Sequence, residues 1–119
     1  MMIKLFLDDE RWPADAYESY LSGNNPIYLE TGWFIARSIM EFMRYLKRHG
    51  LPDLVSFDHD LGSHMDGIDC AHALVNFCID NDLDLPQYLV HSGNNVGREN
   101  ITKLLDRYNQ FRRDATQEV

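Results

Sequence analysis

Cysteine is scarce in this sequence, two among 119 residues, and positive charge is the minority sign, 11 Lys and Arg against 19 Asp and Glu. Each shortage removes a class of protein. Cys70 and Cys78 fall in one apolar stretch that reads as helix, where the rise between them is about 12 Å, beyond the roughly 7 Å that a disulfide spans. Thiols that cannot pair suit a reducing compartment, so the expected location is cytoplasmic. A net charge of −8 withholds the positive field that non-specific duplex binding requires. Broad duplex nucleic-acid binding is excluded; a small anionic ligand, offset by a cation or by local positive charge, is not. No apolar run approaches the roughly 18 residues of a membrane span, and MMIKLFLDDE turns acidic too soon for a signal peptide. Neither a membrane partner nor an export signal is expected.

What is present is a globular composition, 45% hydrophobic and 25% charged, without repeats or low-complexity segments. A chain of this length buries about two-thirds of its extended surface around one core, and residues 1–119 are expected to form a single domain.

Ile3 to Leu7 is an apolar run interrupted only by Lys4 and ended by Asp8-Asp9-Glu10, the pattern of a strand buried on both faces. Pro13 opens a short helix carrying Tyr17, Tyr20 and Leu21, Ser22 to Pro26 breaks it, and Ile27 to Glu30 reads as a brief extra strand. Trp33 to Arg37 is the next strand, because Ser38-Ile39-Met40-Glu41 is a capping box that opens a helix. That helix carries Ile39, Phe42, Met43 and Leu46 in one stripe and stops at His49-Gly50. Asp53 to Phe57 forms a strand that delivers Asp58-His59-Asp60, and from Ile68 a helix with Ala71, Leu74, Val75 and Cys78 on one face runs to near Asn81. Pro86 to Val90 is the fourth strand and ends in His91-Ser92-Gly93-Asn94-Asn95. Gly97 to Phe111 is the last helix, with Ile101, Leu104, Leu105 and Tyr108 along one face, and the polar tail from Arg112 is expected to fray. Strands alternating with helices imply right-handed βαβ units, hence a three-layer α/β fold around an open, mostly parallel sheet.

Ligands of such sheets lie outside the carboxyl ends of the strands, and the chemically unusual residues collect there. Carboxylates brought together repel, and a hard divalent cation, Mg²⁺ or Mn²⁺, relieves that repulsion. Asp8, Asp9, Asp58 and Asp60 are therefore candidate metal ligands; the alternative is that they cap helices or end strands in solvent. Arg11, Arg37 and Arg98 surround them, with Ser92, Asn94 and Asn95. Arg98 opens a helix whose free amides and dipole favour an anion, so a phosphate is the expected ligand. The alternative for these arginines is surface pairing with an acid. His59 and His91, at strand ends, are placed to move a proton. His64 is either a partner on loop closure or a solvent-exposed residue, and His49 and His72 are structural.

Once placed, these motifs resemble a receiver domain, the doubly wound fold of bacterial response regulators. In that fold an acidic pair after strand one and an Asp after strand three hold Mg²⁺, the latter accepts phosphate, and a Ser or Thr ends strand four; Asp8, Asp9, Asp58 and Ser92 stand in those places. The fifth strand and its lysine are missing, so the fold implied is receiver or flavodoxin-like, truncated to about four βα units. A closer resemblance is to cyclic-phosphate processing receiver domains, carried by Leu5 through Arg11, Trp33 through Ser38, Ser56 through Gly62, Asp66-Gly67, His91 through Asn94 and Gly97 through Ile101.

That resemblance implies a metal-dependent phosphoesterase acting on cyclic or terminal phosphates of nucleotides or RNA ends. Asp8, Asp9 and Asp58 would hold Mg²⁺ or Mn²⁺, with Asp60 beside them. Ser92, Asn94 and Arg98 would hold the phosphate with Arg11 and Arg37, and His59 or His91 would act as general acid or base. Asp58 would also serve if the reaction were covalent. Two alternatives stand: a signalling receiver phosphorylated on Asp58, or a non-catalytic domain that binds a nucleotide or a protein partner.

Overall fold

The computed structural model describes residues 2–18, 24–58, 60–61 and 67–117. Four short strands, β1 (Lys4–Leu7), β2 (Trp33–Ala36), β3 (Leu54–Phe57) and β4 (Gln87–Val90), form one fully parallel sheet in the order β2-β1-β3-β4. The two runs that are apolar at nearly every position, β1 and β3, are buried throughout and lie in the middle, whereas β2 and β4 lie at the edges with partly exposed side chains. Parallel strands need crossovers, and each is made by a helix: α1 (Pro13–Glu18), α2 (Ile39–His49) and α3 (Gly67–Asn81), with α4 (Asn95–Gln117) following β4.

Alternation along the strands sorts side chains into two unequal layers. Leu5, Leu7, Ala36, Val55 and Phe57 face α2, α3 and α4, and pack with Phe42, Leu46, Leu74, Cys78, Ile101 and Leu105 in the main core. Phe6 faces the other way, beneath Ala16 of α1 and Tyr28, with Trp33, Ile35 and Leu89 around them. This second layer is thin. It consists of α1 and a 3₁₀ turn, Pro26–Leu29.

That turn replaces the extra strand expected over Ile27 to Glu30. The Asn25 side chain accepts from the Ile27 amide, Pro26 starts the helical geometry, and the amides of Tyr28 and Glu30 bond back three residues, so these three donors are spent locally and not on a sheet. The capping box of α2 is present in a modified form: Ser38 Oγ accepts from the Glu41 amide at 3.2 Å, but the Glu41 carboxylate reaches the Arg37 amide, one residue earlier than expected. Gly50 closes α2 at φ +77°, the left-handed region that glycine tolerates. Met43, assigned to the apolar stripe, is 52% exposed, because Phe42 and Leu46 already fill the core face.

The last helix also departs from expectation. It begins at Asn95 and continues to Gln117 instead of fraying from Arg112. Arg112 binds Asp82 at 2.6 Å and Asp84 at 2.9 Å, both in the segment after α3, which ties the last turns of α4 to the body. Among the described residues no helix is long and apolar enough to cross a membrane.

Candidate functional site

The sheet ladder continues one residue beyond the strands. The Asp8 amide donates to the Ala36 carbonyl at 3.1 Å, that of Asp58 to Leu7 at 2.9 Å and that of His91 to Phe57 at 2.9 Å. Asp8, Asp58 and His91 therefore stand abreast, and the two-residue alternation that sends Phe6, Ser56 and Leu89 toward the thin layer sends them there too. They lie at the carboxyl ends of β1, β3 and β4. The strand order changes direction between β1 and β3, so the site sits at the topological switch point where open α/β sheets bind ligands.

Asp8 turns the chain at this point. Its Oδ1 accepts from the Glu10 and Arg11 amides, at 3.0 and 2.9 Å, and this local turn brings Asp9 back toward the strand ends. One oxygen from each of Asp8, Asp9 and Asp58 lies within 4.8 Å of the other two. Octahedral Mg²⁺ holds its oxygens about 2.9 Å apart in adjacent positions and about 4.2 Å apart in opposite ones. Three hard carboxylate donors, two of them buried at 0% and 4% exposure, suit such a cation with a small inward adjustment. Asp60, expected among the ligands, is exposed and outside this group, three residues past the end of β3.

Asp8 Oδ2 receives His91 Nε2 at 3.1 Å, and the imidazole is fully buried. Its Nδ1 lies 2.6 Å from Ser56 Oγ, which in turn lies 2.7 Å from the Tyr28 hydroxyl. Phe6 stacks on the imidazole, 4.3 Å between centroids and 8° between planes. Burial pushes the His91 pKa down, outweighing its bond to and attraction by Asp8, so the ring is neutral near pH 7. Burial by itself would raise Asp8, but the His91 hydrogen bond and the two amides together hold its carboxyl below the usual value, so it is ionised. The expectation that His91 exchanges protons with a substrate is corrected on these grounds: the ring has no exposed surface, and both nitrogens are taken. His59 and His64 lie outside the described residues.

The polar surroundings divide in the same way. Arg11, 37% exposed, places Nη1 3.8 Å from Asp8 Oδ2 at the mouth of the site. Arg37 instead braces the loop after β1, donating to the carbonyls of Asp8 and Arg11 at 3.2 and 2.5 Å with its guanidinium 4.6 Å from the Trp12 ring centre. Asn94 caps α4, its Oδ1 accepting from the Gly97 amide at 2.9 Å, and Ser92 Oγ accepts from the Asn94 amide at 3.1 Å. Arg98 donates to the Ser92 carbonyl at 2.7 Å and lies near enough to His91 to lower its pKa. Arg37 and Asn94, both expected on phosphate, are thus engaged in holding the loops that frame the site. Sequence reasoning missed Ser56 and Tyr28. Ser56 is the one polar residue inside β3, two positions before Asp58, a signal that alternation alone could have converted into a place beside the site.

Solved structures are similar to this chain. One, a fusion of the yeast Spc42 trimeric coiled coil to another structure, is 22% identical with a TM-score of 0.57; the match covers 87% of this chain and 61% of that one. The chain thus spans less than two-thirds of that molecule. Another, the N-terminal domain of a response regulator/sensory box/GGDEF three-domain protein from Carboxydothermus hydrogenoformans, is 16% identical with a TM-score of 0.48, covering 96% of this chain and 98% of that one. No curated protein matches. The family model for cyclic-phosphate processing receiver domains matches residues 3–107, nearly the whole sheet and its helices. The chain belongs to the cyclic-phosphate processing receiver domain family.

Proposed function

We propose that this protein is a metal-dependent phosphoesterase acting on cyclic or terminal phosphates of nucleotides or RNA ends. The observation that carries the reading is the convergence of Asp8, Asp9 and Asp58 at the switch point of the sheet, with Arg11 beside them. Asp8, Asp9 and Asp58 would hold Mg²⁺ or Mn²⁺. Such a cation polarises a phosphoryl oxygen and lowers the pKa of a bound water. Arg11 reaches the mouth of the site and pairs with phosphate oxygens, while Arg98 and Ser92 shape the α4 side. Arg37 and Asn94 act indirectly, by fixing the loops. With His91 buried, His59, next to Asp58 in the sequence, is the histidine assigned to transfer a proton.

Lewis-acid stabilisation is worth several kcal/mol, or about a thousandfold in rate. Purified protein with Mn²⁺ or Mg²⁺ is expected to open 2′,3′-cyclic nucleotides or release terminal phosphate, followed by ³¹P NMR, and Asp58→Ala is expected to lose about that factor. Absence of turnover across cyclic nucleotides and phosphorylated RNA ends, with metal binding unchanged in Asp58→Ala, would sink the reading. The position of Asp58 beside Asp8 and Asp9 also favours a second one, a signalling receiver phosphorylated there; an acid-labile adduct after acetyl phosphate, without turnover, would select it.

A further inference from the structure

Tyr28, Ser56 and His91 form a line of buried polar groups that ends on Asp8, with spacings of 2.7, 2.6 and 3.1 Å and at most 3% exposure at any of the four residues. Its direction at Asp8 follows from chemistry. A carboxylate accepts, so His91 Nε2 donates to Asp8 Oδ2, while Ser56 Oγ meets the other ring nitrogen and the Tyr28 hydroxyl meets Ser56 Oγ. The Phe6 ring lies flat on the imidazole and opposes its rotation. The other carboxylate oxygen is held by two backbone amides, so Asp8 is gripped on both sides. Hydroxyls placed inside an apolar sheet cost free energy unless they are fully bonded, and Ser56 interrupts an otherwise apolar β3.

We propose that Tyr28, Ser56 and His91 are positioning residues that fix the His91 tautomer and thereby hold the Asp8 carboxylate in the orientation that binds a divalent cation. The inference rests on the reading of Asp8, Asp9 and Asp58 as cation ligands and extends it to residues that touch neither cation nor substrate. Outer partners of metal-binding side chains typically change affinity about 10–100-fold when removed.

The test is Mn²⁺ titration by electron paramagnetic resonance, together with ¹⁵N NMR of the histidine rings, on wild type, Ser56→Ala, Tyr28→Phe and Tyr108→Phe. Tyr28→Phe keeps the ring against Phe6 and Trp33 and removes one hydroxyl. Tyr108→Phe removes a hydroxyl bonded to the Leu83 carbonyl at 3.0 Å in the other layer, and so controls for a general loss of stability. Expected are a proton on His91 Nε2, Mn²⁺ affinity lower by about tenfold or more in Ser56→Ala, a smaller loss in Tyr28→Phe, and none in Tyr108→Phe. Either of the first two variants decides the matter if the other does not fold. Should wild type bind Mn²⁺ while Ser56→Ala and Tyr28→Phe bind it as tightly, or should His91 carry its proton on Nδ1, the positioning role is wrong and the cation site stands. Should wild type bind no Mn²⁺, the site reading falls and takes this inference with it.

Discussion

Asp8, Asp9 and Asp58 were legible because their position is set by local pattern: an apolar run ends, and the acids begin. What each strand-end side chain does is set by neighbours distant in sequence. His91 has the strand-end address of a proton carrier, yet Phe6, 85 residues away in the chain, lies flat against its ring and buries it. Arg37 has the address of a phosphate ligand, yet two carbonyls from the loop after β1 claim its guanidinium. The two cysteines show the same dependence on burial. Both are free and fully enclosed in α3, and burial pushes the Cys70 thiol up to about 12 and the Cys78 thiol up to about 11, from an ordinary value of 9.0. A pKa raised by folding contributes stability that is fully present below the unfolded value and is lost as pH rises through the folded one. Stability is therefore expected to decline from about pH 9 toward pH 11–12 in urea titrations. Native protein is expected to leave a thiol reagent such as DTNB unconsumed at pH 8, and urea-unfolded protein to react at both sites.

Helices were readable where one stripe met one core face, as Ala71, Leu74, Val75 and Cys78 do in α3. Ends were harder. Arg112 and its neighbours look like a solvated tail, and only the folded chain brings Asp82 and Asp84 within reach to prolong α4. Asp82 itself adopts a left-handed conformation, φ +54°, as the chain leaves α3, which turns both acids toward Arg112. Replacing Arg112 by Ala is expected to accelerate amide exchange in the last two turns of α4, with the amides of β1 and β3 unchanged. Equal protection in both proteins would show that the helix holds without this pair. The segment over Pro26–Leu29 was misread for the opposite reason: Ile, Tyr and Leu favour strands, but Asn25 and Pro26 impose a helical start that outweighs propensity.

The whole molecule concentrates a diffuse property. Its −8 charge is spread through the sequence, but folding gathers three of the acids within 4.8 Å at one point of the sheet. If the proposed cation fills that point, it binds the folded chain and not the unfolded one. Mn²⁺ at a hundred times its Kd is then expected to add about 2.7 kcal/mol. For a chain of this size the gain corresponds to a rise in Tm on the order of 10 °C. Scanning calorimetry with and without Mn²⁺ measures it, and Asp9→Asn should reduce the rise. A Tm that ignores Mn²⁺ would count against the cation.

The 3₁₀ turn over Pro26–Leu29 is the smallest element of the fold and has the profile of a connector that tolerates insertion or trimming. Tyr28 makes it otherwise. Its ring stacks on Trp33, meets Phe6 edge-on, and carries its hydroxyl to Ser56 beneath the strand ends. A graft that shortens this turn while leaving all four strands intact would preserve the scaffold and cut an anchor from beneath its acids, so protein engineers should look for permissive sites elsewhere.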